Sequence, residues 1–426
     1  MKRLSFARLL AISAFAFALT MLSNTLEPAV LGHKVLELVP ERRNTALGFT
    51  TFAGLIVAVL WQPIIGVFSD RTRSPWGRRL PYFAAGTLMV LACLYLIATA
   101  PVFGLVVAGI LLIQVASNTV QGPWQALIPD QVPEGQRGQA AGLKGMLDIL
   151  AFVVGRMVAG QLVGRSAQWG TAAILAAVSV PAVLFIIALL VAALFARESP
   201  DAAQAAPQRT LREALGSTFS VDFRAHPAFG WWFANRLLFW AAFIVLNTFL
   251  LFFVMDVVSM PEAQAQRFVG QLSTLIGGAL IVVALPSGWL ADRVGRKPLL
   301  IASGLVAALG TLLLLLARET LLLTIAGVIV GLGVGTFISA NWALVTDIVP
   351  REEAARYLGI ANIATAGGSG LARFLGGALI DTLNATQGPT VGYLTMYAVA
   401  AAFFLASALV VIPLPSARKP LTEAVP

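Results

Sequence analysis

From Leu9 to Leu31 the chain carries one charged side chain, Glu27, and apolar runs of this kind recur along its length. They fall near residues 9–31, 45–68, 81–99, 103–123, 140–162, 170–195, 228–255, 268–290, 298–317, 321–345, 357–381 and 391–413, twelve in all. About 20 mostly apolar residues suffice for a helix to cross the hydrocarbon core of a bilayer. The pattern therefore predicts an all-α membrane protein with twelve transmembrane helices. Composition agrees, since 426 residues that are 58% hydrophobic and 12% charged leave too little polar surface for a globule facing water. The first run follows Lys2, Arg3 and Arg8, as the core of a signal peptide would. It exceeds such a core, lacks a clear small-residue cleavage site and leads into further spans, so it is read as a retained first helix.

The formal net charge of +9 lies in short loops between apolar runs, so no nucleic-acid partner is expected. Arg156, Arg236 and Arg373 fall within spans, and Lys34, Arg42, Arg43, Arg165, Arg267 and Arg318 fall in loops on one side. The rest of the 29 Lys and Arg lie on the side of both chain ends. Short cytoplasmic loops collect Lys and Arg, which places both termini in the cytoplasm and the chain in the cell (plasma or inner) membrane, in contact with its lipids. The single Cys93 excludes an intrachain disulfide, and His33 and His226 make no Cys/His metal cluster, so neither a cofactor nor a metal is expected.

The longest polar interval, 196–227, is rich in Pro, Ala, Gln and charge and reads as a cytoplasmic linker between six-span halves at 1–195 and 228–426. The halves repeat at their loops. The second span ends "GVFSDRTRSPWGRR" and the eighth "GWLADRVGRK", which aligns Asp70, Arg71, Gly77, Arg78 and Arg79 with Asp292, Arg293, Gly295, Arg296 and Lys297. "PDQVP" after the fourth span matches "TDIVP" after the tenth, placing Asp130 opposite Asp347. Two landmarks at similar separation imply a duplicated bundle, hence two pseudo-symmetric six-helix bundles.

These motifs resemble the major facilitator superfamily over essentially the whole chain. The longer first copy, "SDRTRSPWGRRLPY", with "QALIPDQVPEGQRG", is similar to the glycoside-pentoside-hexuronide and sucrose-type proton symporters. The resemblance implies alternating access between two bundles, with spans 3, 6, 9 and 12 as outer supports. It also implies a gating latch built from Asp70, Arg71, Gly77, Arg78 and Arg79, and from Asp292, Arg293, Gly295 and Arg296. Asp130 and Arg137 would supply partner charges, and Asp347 repeats Asp130. Sodium-using members rely on acids in spans 2 and 4, and neither span here has one.

Ionic and amide side chains within a bilayer are costly and usually face protein or a wet cavity. Spans 3, 6, 9 and 12 contain none. On span 4, Gln114, Asn118 and Gln121 recur at i, i+4 and i+7, one helix face, with Trp124 beyond them. Such a stripe either bonds neighbouring helices or lines a cavity, and amides that donate and accept suit the hydroxyls of a sugar. Asn24, Asn235, Arg236, Asn341 and Asn362 complete the candidate substrate contacts. Glu27 and Asp148 are the candidate proton carriers, because a carboxylate can bind a proton in a dry cavity and release it in a wet one.

The expected function is secondary transport of a small polar solute, a sugar or glycoside, coupled to protons. An exporter of amphipathic compounds is the alternative within transport, and a non-transporting assembly or sensor protein the alternative outside it. No nucleophile, metal or acid/base constellation suggests an enzyme.

Overall fold

The computed structural model describes residues 3–195, 227–348 and 354–414. Of the expectations above, the interval 196–226 and the side chains of Asp292, Asp347 and Asn362 lie outside the described residues. Among those described there is no strand, and twelve helices are long and apolar enough to cross a membrane.

Helix α1 occupies Phe6–Leu38, with a π-helical stretch at Leu26–Leu31. It is followed by α2 (Arg43–Arg71), α3 (Leu80–Thr99), α4 (Phe103–Gln131), α5 (Arg137–Val163) and α6 (Thr171–Phe195). The second set is α7 (Pro227–Val257), α8 (Glu262–Val294), α9 (Arg296–Leu316), α10 (Thr320–Ile348), α11 (Ala354–Gln387) and α12 (Val391–Val410).

The described residues form two compact units. One takes those up to 195 together with Ser259–Thr274; the other takes those from 227 to Val258 and from Leu275 to 414. In the first unit α1 packs on α5 and α6, and α3 packs on α4 and α6. In the second, α7 packs on α11 and α12, and α9 packs on α10 and α12. The pairings repeat, and so do the residues that permit them. Without a hydrophobic driving force between helices, small residues decide where backbones can approach in a membrane. Gly86 of α3 sits against the Ala116 carbonyl and Val120 of α4, and Gly310 of α9 against the Ala326 carbonyl and Val330 of α10. A Cβ at either would meet backbone atoms at 2.9 Å or less.

Aromatic rings fill the space that remains. Phe15 meets Phe83 and Phe185 in the first unit, and Phe239 stacks on Phe337 and meets Phe404 edge-on in the second.

The duplicated loop motif has the same backbone solution in both copies. Gly77 has φ 93° and Gly295 has φ 99°, a region that costs a side-chain-bearing residue ~1–2 kcal/mol, so the motif glycine turns the chain from one helix into the next.

The first turns of α8 belong to the unit that holds α1 and α5. Glu262 Oε1 accepts from His33 Nδ1 at 2.6 Å, Arg267 donates to the Gly164 carbonyl at 3.1 Å, and Gly270 lies against the Arg156 carbonyl.

Candidate functional site

Pro28 has no N–H to offer the carbonyl four residues earlier, and α1 widens into its π turn at this point. Glu27 stands in the first turn of that segment. With Ser23 of α1, Thr51 of α2, and Gln114 and Ser117 of α4, it lines a cavity of about 20 Å³ walled otherwise by Leu22, Leu26, Leu31, Ile110 and Ile113. A carboxylate, an amide and three hydroxyls thus converge in an apolar wall. Ser23, Thr51 and Ser117 each donate to a carbonyl of their own helix, which leaves their oxygens as acceptors beside the carboxylate, and the Gln114 amide can donate.

The neighbouring polar side chains are engaged with protein. Asn24 donates to the Thr20 carbonyl at 2.8 Å and accepts from Arg156 Nε at 3.5 Å. Asn118, 4% exposed, donates to the Gln114 carbonyl at 2.8 Å, while Gln121 is half-buried. Trp124 is 2% exposed and its indole N–H donates to the Ile12 carbonyl at 2.6 Å, which makes the ring a strut between α4 and α1. Asp148 accepts from Lys144 Nζ at 2.7 Å on one oxygen and from Thr20 Oγ1 at 2.8 Å on the other. Of the two acids singled out from the sequence, Glu27 lines the cavity and Asp148 is held in an ion pair one helical turn from its partner.

In the second unit, Asn235 of α7 and Asn341 of α10 are 0% exposed, and Arg236 is 4% exposed. Arg236 donates from Nε to Thr365 Oγ1 at 2.8 Å and from a terminal nitrogen to Asn341 Oδ1 at 2.6 Å. Asn341 Nδ2 donates to Asn235 Oδ1 at 3.1 Å, and Asn235 donates to the Ser407 carbonyl at 2.9 Å. The guanidinium lies 5.5 Å from the Trp232 ring and 4.8 Å from the Trp342 ring. Indole faces are the best aromatic partners for a cation, and they offset part of the cost of keeping it from water. Trp232 closes the network by donating to the Asn341 carbonyl at 3.0 Å.

The loop charges gather in the same orderly way. Asp130, at the end of α4, accepts from Arg78 at 3.2 Å and from Arg79, while Asp70 lies 3.7 Å from Arg79. Arg71 and Arg137 are exposed. Arg79 also donates to the Pro123 carbonyl of α4, and in the second unit Arg296 donates to the Ala343 carbonyl of α10. Both motif copies therefore send an arginine to a backbone carbonyl on the helix that packs beside the one they precede. Arg293 covers the Trp289 ring at 3.7 Å.

Sequence reasoning passed over Ser23, Thr51, Ser117, Thr365, Trp232 and Trp342. None of these six is charged or an amide, the groups whose cost in a bilayer marks them in a sequence. Ser117 lies three residues after Gln114, and Trp342 directly follows Asn341, so proximity on the helix was the available signal.

A family model described as MFS/sugar transport protein matches residues 38–355. The minor myo-inositol transporter IolF of Bacillus subtilis (strain 168) is 39% identical over 103 residues, 24% of this chain and 24% of that one. The sucrose transport protein SUT4 of Oryza sativa subsp. japonica is 33% identical over 104 residues, 19% of this chain and 18% of that one. The matches thus span a quarter or less of these curated relatives. Among solved structures, the nucleoside transporter NupG superposes with a TM-score of 0.72 at 15% identity, covering 96% of this chain and 98% of that one. A bacterial homolog to the human lysosomal transporter Spinster gives 0.65 at 15% identity, over 95% and 94%. At such identities the likeness is one of fold.

Proposed function

The chain belongs to the MFS/sugar transport protein family, a multi-pass membrane transporter and not an enzyme, and from that premise we propose that it moves a small polyhydroxylated solute by alternating access, coupled to protons. The observation that carries this reading is the Glu27 cavity, whose volume of about 20 Å³ admits a single hydroxyl-sized group of the solute. Hydroxyls that each donate and accept match a wall of carboxylate, amide and hydroxyl groups, and the same carboxylate can carry the proton. In the second unit, the network of Arg236, Asn235 and Asn341 with the Trp232 and Trp342 rings is assigned to substrate contact. In the first unit, Asn24, Gln114, Asn118 and Gln121 are assigned to substrate contact beside Glu27. Trp124 and Asp148 are assigned to holding α1, α4 and α5 in place.

The arginine and aspartate clusters at the ends of α2, α3 and α4 are read as gating elements. Asp130 makes those ends one block, and a block can move as a unit. The distribution of Lys and Arg supports cytoplasmic termini.

Names of relatives narrow the ligand only as far as its hydroxyls: inositol, sucrose and nucleosides all present them. A thermal-shift screen of the purified protein therefore separates the classes. Stabilisation by polyols, sugars or glycosides is expected, with that stabilisation retained in Glu27→Gln and lost in Glu27→Ala, which removes the hydrogen-bonding group altogether. Stabilisation by amphipathic dyes alone would overturn the assignment in favour of an exporter.

A further inference from the structure

The indole N–H of Trp240 on α7 is covered, yet it meets no hydrogen-bond partner among the described residues. Nearly all buried polar groups in folded proteins are bonded, and one left alone destabilises the fold. The hydroxyls of Ser13, Thr50 and Thr87 are also covered without a partner, but a hydroxyl turns freely and accepts as well as donates. An indole N–H only donates, in one direction fixed by a rigid ring. Its acceptor has to come from outside the described fold.

Placement says what kind of acceptor fits. Arg236, Trp240, Phe243 and Asn247 recur at i, i+4, i+7 and i+11, which puts them in one stripe along α7. Arg236 stands one turn away, about 6 Å along the axis, where Thr365 and Asn341 hold its guanidinium. The Phe243 ring meets the Trp240 indole edge-on at 5.8 Å. An arginine and an amide are costly in hydrocarbon, so this stripe looks onto protein or a wet cavity and not onto lipid tails. Trp240 and Asn247 are half-buried, so the stripe is not packed shut at their level.

Resting on the transport reading above, we propose that Trp240 is a substrate-contacting residue. Its N–H donates to a hydroxyl oxygen of the solute, and its indole face carries the C–H side of a sugar or cyclitol ring. The donor is covered while part of the side chain is open, so a turn about the side-chain bonds brings the N–H to a solute lying along the stripe. An apolar body with one polar handle suits a cyclic polyol, whose oxygens border an apolar ring face. An open-chain polyol has the oxygens without the face.

The test is calorimetric titration of the full-length protein in detergent with myo-inositol and with sucrose. It compares the unaltered protein with Trp240→Phe and with a form in which Trp240 is replaced by benzothienylalanine, a ring of indole's size with sulfur in place of the N–H. At least one probe is expected to bind the unaltered protein. The sulfur analogue should weaken that binding about fivefold, the loss of one neutral hydrogen bond, and Trp240→Phe, which also shortens the stacking face, should weaken it further. Thermal unfolding of the ligand-free analogue should come no earlier than that of the unaltered protein, because only an unpaired donor has been removed. Equal binding by the analogue overturns the assignment of Trp240 and leaves the transport reading standing. Earlier unfolding of the ligand-free analogue also overturns it, since the N–H would then have a partner within the fold. Failure of both probes to bind the unaltered protein overturns the polyol reading itself, and the assignment with it.

Discussion

Replacing Glu27 with Gln is expected to abolish accumulation of substrate against a gradient while leaving exchange of substrate across the membrane intact. Glu27 lies in the π turn of α1 and lines one cavity with Ser23, Thr51, Gln114 and Ser117. Gln keeps the size and hydrogen bonding of the side chain but cannot take up or release a proton. Without that step a carrier only equilibrates, so the accumulation ratio should fall to about one, the limit set when no gradient biases the two states. Asp148→Asn serves as the control. Its carboxylate is bound to Lys144 and Thr20, and the variant is expected to lower stability while accumulation persists. A measurement of both ratios in reconstituted vesicles decides between the acids. Accumulation that survives Glu27→Gln and vanishes in Asp148→Asn would reverse the assignment.

The largest stability effect is expected at Asn341. Its side chain accepts from the buried guanidinium of Arg236 and donates to Asn235, and it is 0% exposed. Asn341→Leu removes a hydrogen bond to a charged group, worth ~1.5–3 kcal/mol, and a neutral one worth ~1 kcal/mol. It also takes an acceptor from a cation that is costly to keep within a membrane. Asn118→Ala removes a neutral bond to the Gln114 carbonyl, and ~1 kcal/mol is expected there. Reversible unfolding of both variants in detergent gives the comparison. Equal stability of the two would show that the Arg236 network contributes no more than an ordinary buried amide.

Much of this architecture is legible in the sequence. Twelve apolar runs require twelve helices, and the paired Asp-Arg and Gly-Arg landmarks disclose a duplicated bundle. Gly77 and Gly295 show why the motif keeps a glycine, since both adopt positive φ. Pairings between helices are less accessible. Nothing in hydropathy says that Trp124 sends its N–H to Ile12, more than a hundred residues away, or that the first turns of α8 lie with α1 and α5. These contacts depend on side-chain direction and on glycines placed for close approach. The ion pair of Lys144 with Asp148 was within reach, because i, i+4 is the spacing at which helix side chains meet. Glu27 was found by its cost in a bilayer, but its π turn required the geometry that Pro28 imposes. The hydroxyl lining of the cavity is not legible in the sequence, since Ser and Thr also bond to their own helix, as Thr51 does to the Leu47 carbonyl.

The central claim is that the chain drives a polyhydroxylated solute across a membrane with a proton gradient. The most direct measurement follows uptake of a labelled solute, chosen from the thermal-shift screen, into vesicles holding the unaltered protein under an imposed pH gradient. The account predicts accumulation above the external concentration, collapsing when a proton ionophore is added. Accumulation that follows a sodium gradient and ignores the ionophore would contradict it.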